Sequence, residues 1–295
     1  MSADRSGRVR AAIGCAVIAA AALLTSCATG TYVSGTDETT ITEAAARTEQ
    51  HDLSYALPGT LAADFAELQA STRGSIGLAA MPVGGTAALS FGSWTTGPAW
   101  STIKVPLVMA AQRAAPGTNT YAATAAITES DNTAADALWQ SLGGGQEAAA
   151  AVEAVLREGG DVTTRVPPTR PRADHSAFGQ AEWSLAGQVA FAAKLPCLPG
   201  SAGVTALMAE IVPTHRWGMG SIDGAEFKGG WGPDPDGDYL VRQFGLVDGP
   251  AGQVAVAIAA KPESGTFNDG MLALNKMATL VAAHLAELPS GKCRR

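Results

Sequence analysis

Ser101 and Lys104 lie three positions apart at the start of the apolar segment PAWSTIKVPLVMAAQ. If a helix begins near Ser101, the two side chains lie on one face, one turn apart. A serine hydroxyl becomes a nucleophile when a base removes its proton, and a lysine with a lowered pKa can be that base. Backbone N–H groups at the helix start would favour a developing oxyanion. The pair is equally compatible with a polar cap on a buried helix.

Two further polar clusters follow along the chain. Ser130, Asp131 and Asn132 precede a helical pattern, where such residues commonly cap a helix. A second hydroxyl and a carboxamide there would also suit proton transfer to a leaving nitrogen and binding of a substrate amide. Lys228 opens the sequence KGGW on a predicted strand, where glycines permit close approach of another backbone. The alternative for Lys228 is a solvated lysine in a turn.

The order of the clusters, S-x-x-K, then S-D-N, then a Lys-Gly-Gly strand, resembles the penicillin-recognising serine enzymes, in particular class A β-lactamases. The resemblance covers residues 58–288. It implies a Ser101 acyl-enzyme formed from a β-lactam or a D-Ala-D-Ala-type peptide, with Lys104 as the proton acceptor.

The same resemblance implies roles for the remaining positions. Ser130 would relay a proton to the leaving nitrogen with the aid of Lys228. The backbone N–H groups of Ser101 and Trp231 would form an oxyanion hole. The substrate-binding positions would be Asn132, Gly230, Trp231 and Arg242.

Gly229 departs from the family pattern, because family members usually carry threonine or serine there. That hydroxyl helps to bind the substrate carboxylate, and losing a hydrogen bond to a charged group costs about 1.5–3 kcal/mol. Arg242 on the next strand, or Arg216, would supply compensating charge. The alternative is that both arginines lie at the surface.

The loop GDVTTRVPPTRPRADHSAFGQAEW departs more strongly, since it lacks the Glu-x-x-x-Asn with which class A β-lactamases hydrolyse their acyl-enzyme. Its remaining carboxylates include Asp174, beside His175, and Glu182, which also suits a helix N-terminus. The residue that would hydrolyse the acyl-enzyme is therefore left open.

Two functional hypotheses follow. The first is a β-lactamase-like serine acyl-transfer hydrolase that acts on a β-lactam or a cell-wall peptide through Ser101. The second is a catalytically silent, penicillin-binding-like lipoprotein that binds cell-wall fragments or a protein partner. The three clusters favour the first hypothesis, whereas Gly229 and the altered loop favour the second.

Hydrophobic periodicity gives the order helix, two strands, helices, three strands, helix. The hairpin and the later three-strand meander can join into one antiparallel sheet. We therefore predict an α/β (α+β) fold of the β-lactamase/transpeptidase type. It would have a five-stranded antiparallel sheet with flanking helices and a helical lobe.

The N-terminal segment has the features of an export signal. Three arginines precede an apolar run over residues 11–24, which is short for a bilayer span. The run ends in Leu24-Thr25-Ser26-Cys27, which resembles the lipobox of bacterial lipoproteins and implies cleavage before Cys27 and lipid on its sulfur. The alternative is an ordinary secreted protein with an incidental cysteine.

These features predict four segments. They are a lipoprotein signal peptide over 1–26, a flexible tether over 27–56, a hydrolase domain over 57–289 and a tail over 290–295. The mature protein would be exported and held at the membrane by lipid alone, facing the cell wall or periplasm.

The charge and cysteine content of the chain argue against nucleic-acid and metal partners and allow one disulfide. The chain has 27 acidic and 20 basic residues, a net charge of −7, and shows no basic patch, which argues against a nucleic-acid partner. After export, Cys197 and Cys293 could pair as a disulfide, and two free thiols are the alternative. No CxxC or HxxxH spacing is present, so we predict neither a metal nor a cofactor. We expect a monomer.

Overall fold

The computed structural model describes residues 60–118 and 120–294. The predicted signal peptide over 1–26, the lipidation site Cys27 and the tether over 27–56 lie outside the described residues. Among the helices that are described, none is both long enough and apolar enough to cross a membrane.

Five antiparallel strands form the main sheet in the spatial order β2-β1-β7-β6-β5, and two short strands pair separately. This arrangement confirms the predicted five-stranded antiparallel sheet. The strands are β1 (Gly74–Pro82), β2 (Leu89–Gly92), β3 (Thr96–Pro98), β4 (Glu182–Ser184), β5 (Glu226–Pro233), β6 (Tyr239–Gly249) and β7 (Gly252–Pro262).

Helices of the described chain pack against this sheet and also form a separate helical lobe. They are α1 (Leu61–Ser71), α2 (Lys104–Ala114), α3 (Thr120–Thr124), α4 (Asn132–Ser141), α5 (Gly145–Glu158), α6 (Leu185–Lys194), α7 (Ala202–Ala209) and α8 (Phe267–Ala283).

The centre of the sheet is covered on both faces. Residues 254–260 of β7 are all buried, and their sequence VAVAIAA is apolar without alternation. A strand with two covered faces has this pattern, because neither set of side chains meets water. Helix α8 packs against β6 and β7, while α6 packs against β1 and β7.

Helix α2 forms the centre of the helical lobe. Residues 104–111 are buried on every side, and the helix contacts both α4 and α5. A helix that is covered all round belongs to a core, even where it carries a lysine. The chemistry predicted at its start is therefore built into the interior of the lobe.

The small sheet of β3 and β4 was not predicted from the sequence. Thr96 pairs with Ser184 and Pro98 pairs with Glu182, so the chain just before Ser101 is fixed to the segment that precedes α6. Three-residue strands give little periodic signal, and their pairing partners are remote in sequence. This sheet determines how the chain enters the predicted site.

The predicted disulfide between Cys197 and Cys293 is confirmed, with 5.3 Å between the two Cα atoms. Beside it, the backbone of Gly291 forms an antiparallel bridge with Gln253, the second residue of β7. The residues after α8 are thus fixed to the body of the domain by one covalent bond and by backbone hydrogen bonds.

Candidate active site

Ser101 lies on a 3₁₀ turn, Trp100–Ile103, that joins β3 to α2. Trp100 has φ of 49°, and Ser130 has φ of 58°; they are the two non-glycine residues of the described chain with positive φ. A left-handed backbone costs a non-glycine residue roughly 1–2 kcal/mol. Both strained positions therefore fall at the polar clusters singled out from the sequence, where such strain typically accompanies function.

Strand β5 runs directly behind the Ser101 turn because Gly230 has no side chain. A Cβ atom on Gly230 would lie 2.8 Å from Ser101 N and 2.9 Å from Ala99 O. Contacts that short do not occur in folded proteins, so glycine is required for this approach of two backbones. The predicted substrate-binding strand thus lies against the predicted nucleophile.

Lys104 is buried, and its amine donates hydrogen bonds to residues of the second cluster, Ser130 and Asn132. Its Nζ donates to Ser130 O at 2.5 Å and to Asn132 Oδ1 at 2.8 Å, and lies 3.4 Å from Ser130 Oγ. Burial lowers the pKa of Lys104 to about 7, against the opposing charges of Asp131 and Asp136. The amine is therefore neutral in an appreciable fraction of molecules near pH 7.

Lys228 reaches the same hydroxyl from the sheet. Its Nζ donates to Ser130 Oγ at 2.9 Å and to Gly229 O at 2.9 Å, and the side chain is buried. Burial and, to a smaller extent, the nearby charge of Lys104 lower the pKa of Lys228 well below its ordinary value. Two amines from different parts of the chain therefore converge on the Ser130 hydroxyl.

Asp131 shows that a cap and a functional cluster can share the same residues. Its side chain accepts a hydrogen bond from Ala134 N at 2.6 Å, which caps α4 as the sequence suggested. This cap fixes the neighbouring Ser130 and Asn132, whose side chains turn towards the lysines instead of the helix.

A cavity of about 330 Å³ lies in front of these groups. Ser101 is half-buried in its wall, and the hydroxyl of Ser101 makes no hydrogen bond to the described residues. The cavity wall also includes Lys104, Asn132 and Trp231, so it joins members of all three clusters. A reactive carbonyl group fits this volume next to an unengaged serine hydroxyl.

Aromatic rings lie beside Gly229, the position at which members of the resembled family usually carry a hydroxyl residue. The ring of Trp217 lies 3.6 Å from the position that a Cβ on Gly229 would take. Trp231 packs edge-on against both Trp217 and His215, at 5.7 Å and 5.1 Å between ring centroids. Burial, Lys228 and Lys104 lower the pKa of His215, which favours the neutral form of this ring.

The prediction that Arg242 binds substrate is wrong. Arg242 is fully buried beneath β3, where it donates to Gly97 O, Pro98 O, Trp183 O and Gln188 Oε1 at 2.9–3.0 Å. Four of its five donors are used within the protein, the fifth, Nε–H, is buried without a partner, and Arg242 does not line the cavity.

Arg216 does not replace it at the cavity. This exposed arginine donates to Ala209 O at 3.1 Å, and it does not line the wall. No arginine from the strand side therefore faces the cavity within the described part of the chain.

The loop that follows α5 brings Asp174 and His175 to the cavity, whereas Glu182 lies in β4 outside the cavity wall. The carboxylate of Asp161, buried at the start of the loop, accepts from Thr163 N and Thr164 N at 3.0–3.1 Å. These bonds hold the entrance of the loop in place. Its far end closes over the cavity beside the Ser101 turn.

No family model matches the sequence, and no curated protein matches it either. Solved structures do match. The class A β-lactamase from Mycobacterium abscessus superimposes with a TM-score of 0.62 at 18% sequence identity, covering 76% of this chain and 98% of that one. The chain has the class A β-lactamase fold.

Two further solved structures have the same class A fold. The TLA-3 extended-spectrum β-lactamase aligns at 14% identity with a TM-score of 0.61, over 76% of this chain and 98% of that one. An ancestral class A β-lactamase aligns at 20% identity with a TM-score of 0.58, over 76% of this chain and 99% of that one. Such identities establish the fold, and function must be argued from the site.

Within this β-lactamase fold, several contributors to the site could not be read from the sequence. The strain at Trp100 and the position of His175 in the cavity wall depend on how the loop after α5 packs. The pair Asp174-His175 was a weak signal, since the two residue types adjoin in a polar loop. Metal ligands do not cluster anywhere in the described residues.

Proposed function

We propose that the protein is a serine acyl-transfer hydrolase that forms an acyl-enzyme on Ser101. The convergence of Lys104 and Lys228 on Ser130, next to the unengaged hydroxyl of Ser101, is the observation that carries the proposal. A structural cap would not need two buried amines at one hydroxyl, because burying each of them is costly.

In the proposed reaction, the hydroxyl oxygen of Ser101 attacks the carbonyl carbon of the substrate. Lys104, whose pKa of about 7 leaves neutral amine available, accepts the Ser101 proton. Ser130 then gives its hydroxyl proton to the leaving nitrogen as the carbonyl carbon–nitrogen bond breaks, and Ser130 takes in return the proton that Lys104 accepted from Ser101. Lys228 stabilises the Ser130 oxygen while these protons move.

The oxyanion of the tetrahedral intermediate would be held by the backbone N–H groups of Ser101 and Trp231. The close packing permitted by Gly230 keeps the two backbones together, which supports this assignment. Loss of one such donor typically costs about 10²–10³ in rate. Asn132, which accepts from Lys104, would orient the amine and bind the substrate amide.

The proposed substrates are a β-lactam or a D-Ala-D-Ala-type cell-wall peptide, both of which present a carbonyl carbon bonded to a leaving nitrogen. The proposal includes export and lipid anchoring through Cys27, because the N-terminal sequence has a charged region, an apolar run and a lipobox-like cysteine in order. This anchoring would bring the cavity close to the cell wall.

A catalytically silent binder is the second candidate, and the aromatic wall beside Gly229 favours it. Lys228 donates to Ser130 and Gly229, and Arg242 is buried beneath β3. A substrate carboxylate would therefore find rings where it needs hydrogen-bond donors.

Acylation separates the two candidates. The exported domain is incubated with a fluorescent penicillin and with a depsipeptide, and adducts are measured by intact-protein mass spectrometry. We expect an adduct on Ser101 that is absent from Ser101→Ala and retained in Ser71→Ala, an exposed serine control at the end of α1. Folded parent protein that forms no adduct with either reagent would favour the binder.

A further inference from the structure

An acyl-enzyme on Ser101 is hydrolysed only if a base activates water. In the reaction proposed above, Lys104 is assigned to the Ser101 proton, and both Lys104 and Lys228 contact the Ser130 hydroxyl. The other titratable groups of the cavity wall are Asp136, Arg170, Asp174, His175 and Tyr239.

Asp136 and Arg170 form an ion pair at 3.5 Å, so each has a partner. A tyrosine is a poor acceptor near neutral pH, because its ordinary pKa is about 10. Histidine is the side chain whose ordinary pKa suits proton exchange at that pH. The search for a base therefore leads to His175 and the carboxylate beside it.

The ring of His175 lies next to the nucleophile turn. It packs edge-on against Trp100, the residue before Ser101, with 5.0 Å between ring centroids. The 3₁₀ turn Phe178–Gln180 contacts the Ser101 turn, which anchors the loop carrying His175 against the same cavity. His175 and Ser101 thus belong to one wall of one small cavity.

Asp174 gives this histidine an orienting partner. Nε2 of His175 is buried and lies 3.2 Å from Asp174 Oδ2, without a hydrogen bond of regular geometry. Asp174 Oδ2 is also 3.4 Å from Arg172 Nη2, which keeps a positive charge on its far side. A small rotation of the imidazole would make Nε2–H a donor to the carboxylate and leave Nδ1 as an acceptor.

We propose that His175, oriented by Asp174, is the general base that hydrolyses the Ser101 acyl-enzyme. This inference rests on the proposed function. Nδ1 of His175 takes a proton from water while the water oxygen bonds to the ester carbonyl carbon. The bond from that carbon to Ser101 Oγ then breaks, and the proton passes from the imidazolium to Oγ. One ester and one water give one carboxylic acid and the free serine.

The test measures acylation and hydrolysis separately, by stopped-flow mixing and by the decay of the Ser101 adduct in intact-protein mass spectra. In His175→Gln we expect acylation within about twofold of the parent and adduct decay about 10²–10⁴ slower, the usual contribution of a general base. Asp174→Asn should slow only the decay, by a smaller factor. His284→Gln is the matched control, since His284 pairs with Asp64 and Glu287 and lies outside the cavity wall.

Chemical rescue distinguishes a base from a structural residue. In His175→Ala, free imidazole should accelerate adduct decay in proportion to its concentration, whereas the His284→Gln control should not respond. Unchanged decay in His175→Gln would overturn the inference and leave the proposed function standing. Equal losses in both steps with a lowered melting temperature, and no imidazole rescue, would also overturn it. A parent protein that never forms the adduct would overturn the proposed function and this inference with it.

Discussion

Lys104 and Arg242, two of the buried cationic side chains of the described residues, differ in how many acceptors surround each charge. Lys104 donates at close range to two oxygens, and burial lowers the pKa of Lys104 to about 7. Arg242 is equally buried, but its guanidinium donates to four oxygens and lies 5.0 Å from the ring of Trp94. Burial lowers the pKa of Arg242 to about 9, so Arg242 stays charged at neutral pH.

Burial alone therefore does not make a cation reactive. Burial lowers both pKa values, and Arg242 stays charged because the ordinary pKa of a guanidinium is higher than that of an ammonium. The charged guanidinium, with fixed acceptors in several directions, holds the backbone together, whereas the Lys104 amine can give up its proton. Both centres adjoin the Ser101 turn: Lys104 from within α2, and Arg242 through the carbonyl groups of Gly97 and Pro98. One centre would supply chemistry, and the other would hold the backbone that presents it.

The largest expected effect tests whether Lys104 takes part in the acylation of Ser101 or has only a structural role. Lys104→Met should lower the rate of Ser101 acylation by about 10²–10⁴, because the proton acceptor is lost while the apolar stem is kept. Stopped-flow acylation with a chromogenic β-lactam measures it. Lys261→Met is the control, as that exposed lysine pairs with Asp234 and does not line the cavity. An acylation rate within threefold of the parent would contradict a chemical role for Lys104.

The arginine centre should show the opposite pattern. Arg242→Met should lower the free energy of unfolding by about 3–5 kcal/mol, since it leaves buried acceptors without donors. Urea denaturation followed by tryptophan fluorescence gives the value. Arg242→Lys should recover only part of this loss, because one ammonium cannot bridge four separated oxygens. An Arg242→Met variant as stable as the parent would contradict the structural role that separates Arg242 from Lys104.

Gln188 tests whether the arginine network extends to the nucleophile turn. Its Oε1 accepts from Arg242, and its Nε2 donates to Thr102 Oγ1 at 3.0 Å. Gln188→Leu should cost about 1–3 kcal/mol of unfolding free energy, because a buried hydroxyl and a buried guanidinium each lose a partner. Gln140→Leu on α4 is an exposed control, and equal stability of the two variants would contradict the network.

The smallest expected effect is a pH dependence of the acylation rate, which the pKa of Lys104 would set. Neutral Lys104 is the proposed acceptor, and the neutral fraction grows as pH rises through about 7. Acylation should therefore become up to tenfold faster per pH unit below that value and level off above it. The profile is measured by single-turnover acylation from about pH 5.5 to about pH 8.5, in steps of ~0.5 pH units. A rate that declines across this interval would be inconsistent with an amine base.

Much of the fold could be predicted because apolar segments bounded by glycine and proline residues mark its main strands and helices. The spacing of Ser101 and Lys104 was enough to bring both to the start of one helix. The sequence also suggested that Gly230 would let the backbone of another molecule approach; in the structure the backbone that approaches Gly230 is that of the Ser101 turn. At Ser101 and Lys104 the spacing in the sequence was therefore sufficient to predict the local backbone structure.

The errors have one common cause, which is pairing between remote segments. The position of Arg242 on β6 was predictable, but β3 covers it, and three residues are too few to reveal a strand. His175 reaches the cavity because its loop packs on Trp100, a contact that no periodic pattern encodes. The aromatic rings beside Gly229 come together from the segment before β5 and from β5 itself.

The Cys197–Cys293 bond makes a covalent ring of the strands that carry Lys228 and Arg242, whereas Ser101 and Lys104 lie outside that ring. A protease that cuts once between the two cysteines leaves both pieces on the same molecule. Such a nick would be invisible in non-reducing electrophoresis and would split the band only after thiol treatment. Nicked protein would therefore keep Lys104 and Lys228 in one molecule. Its remaining rate of Ser101 acylation would measure how much of the cavity stays folded after the backbone is cut.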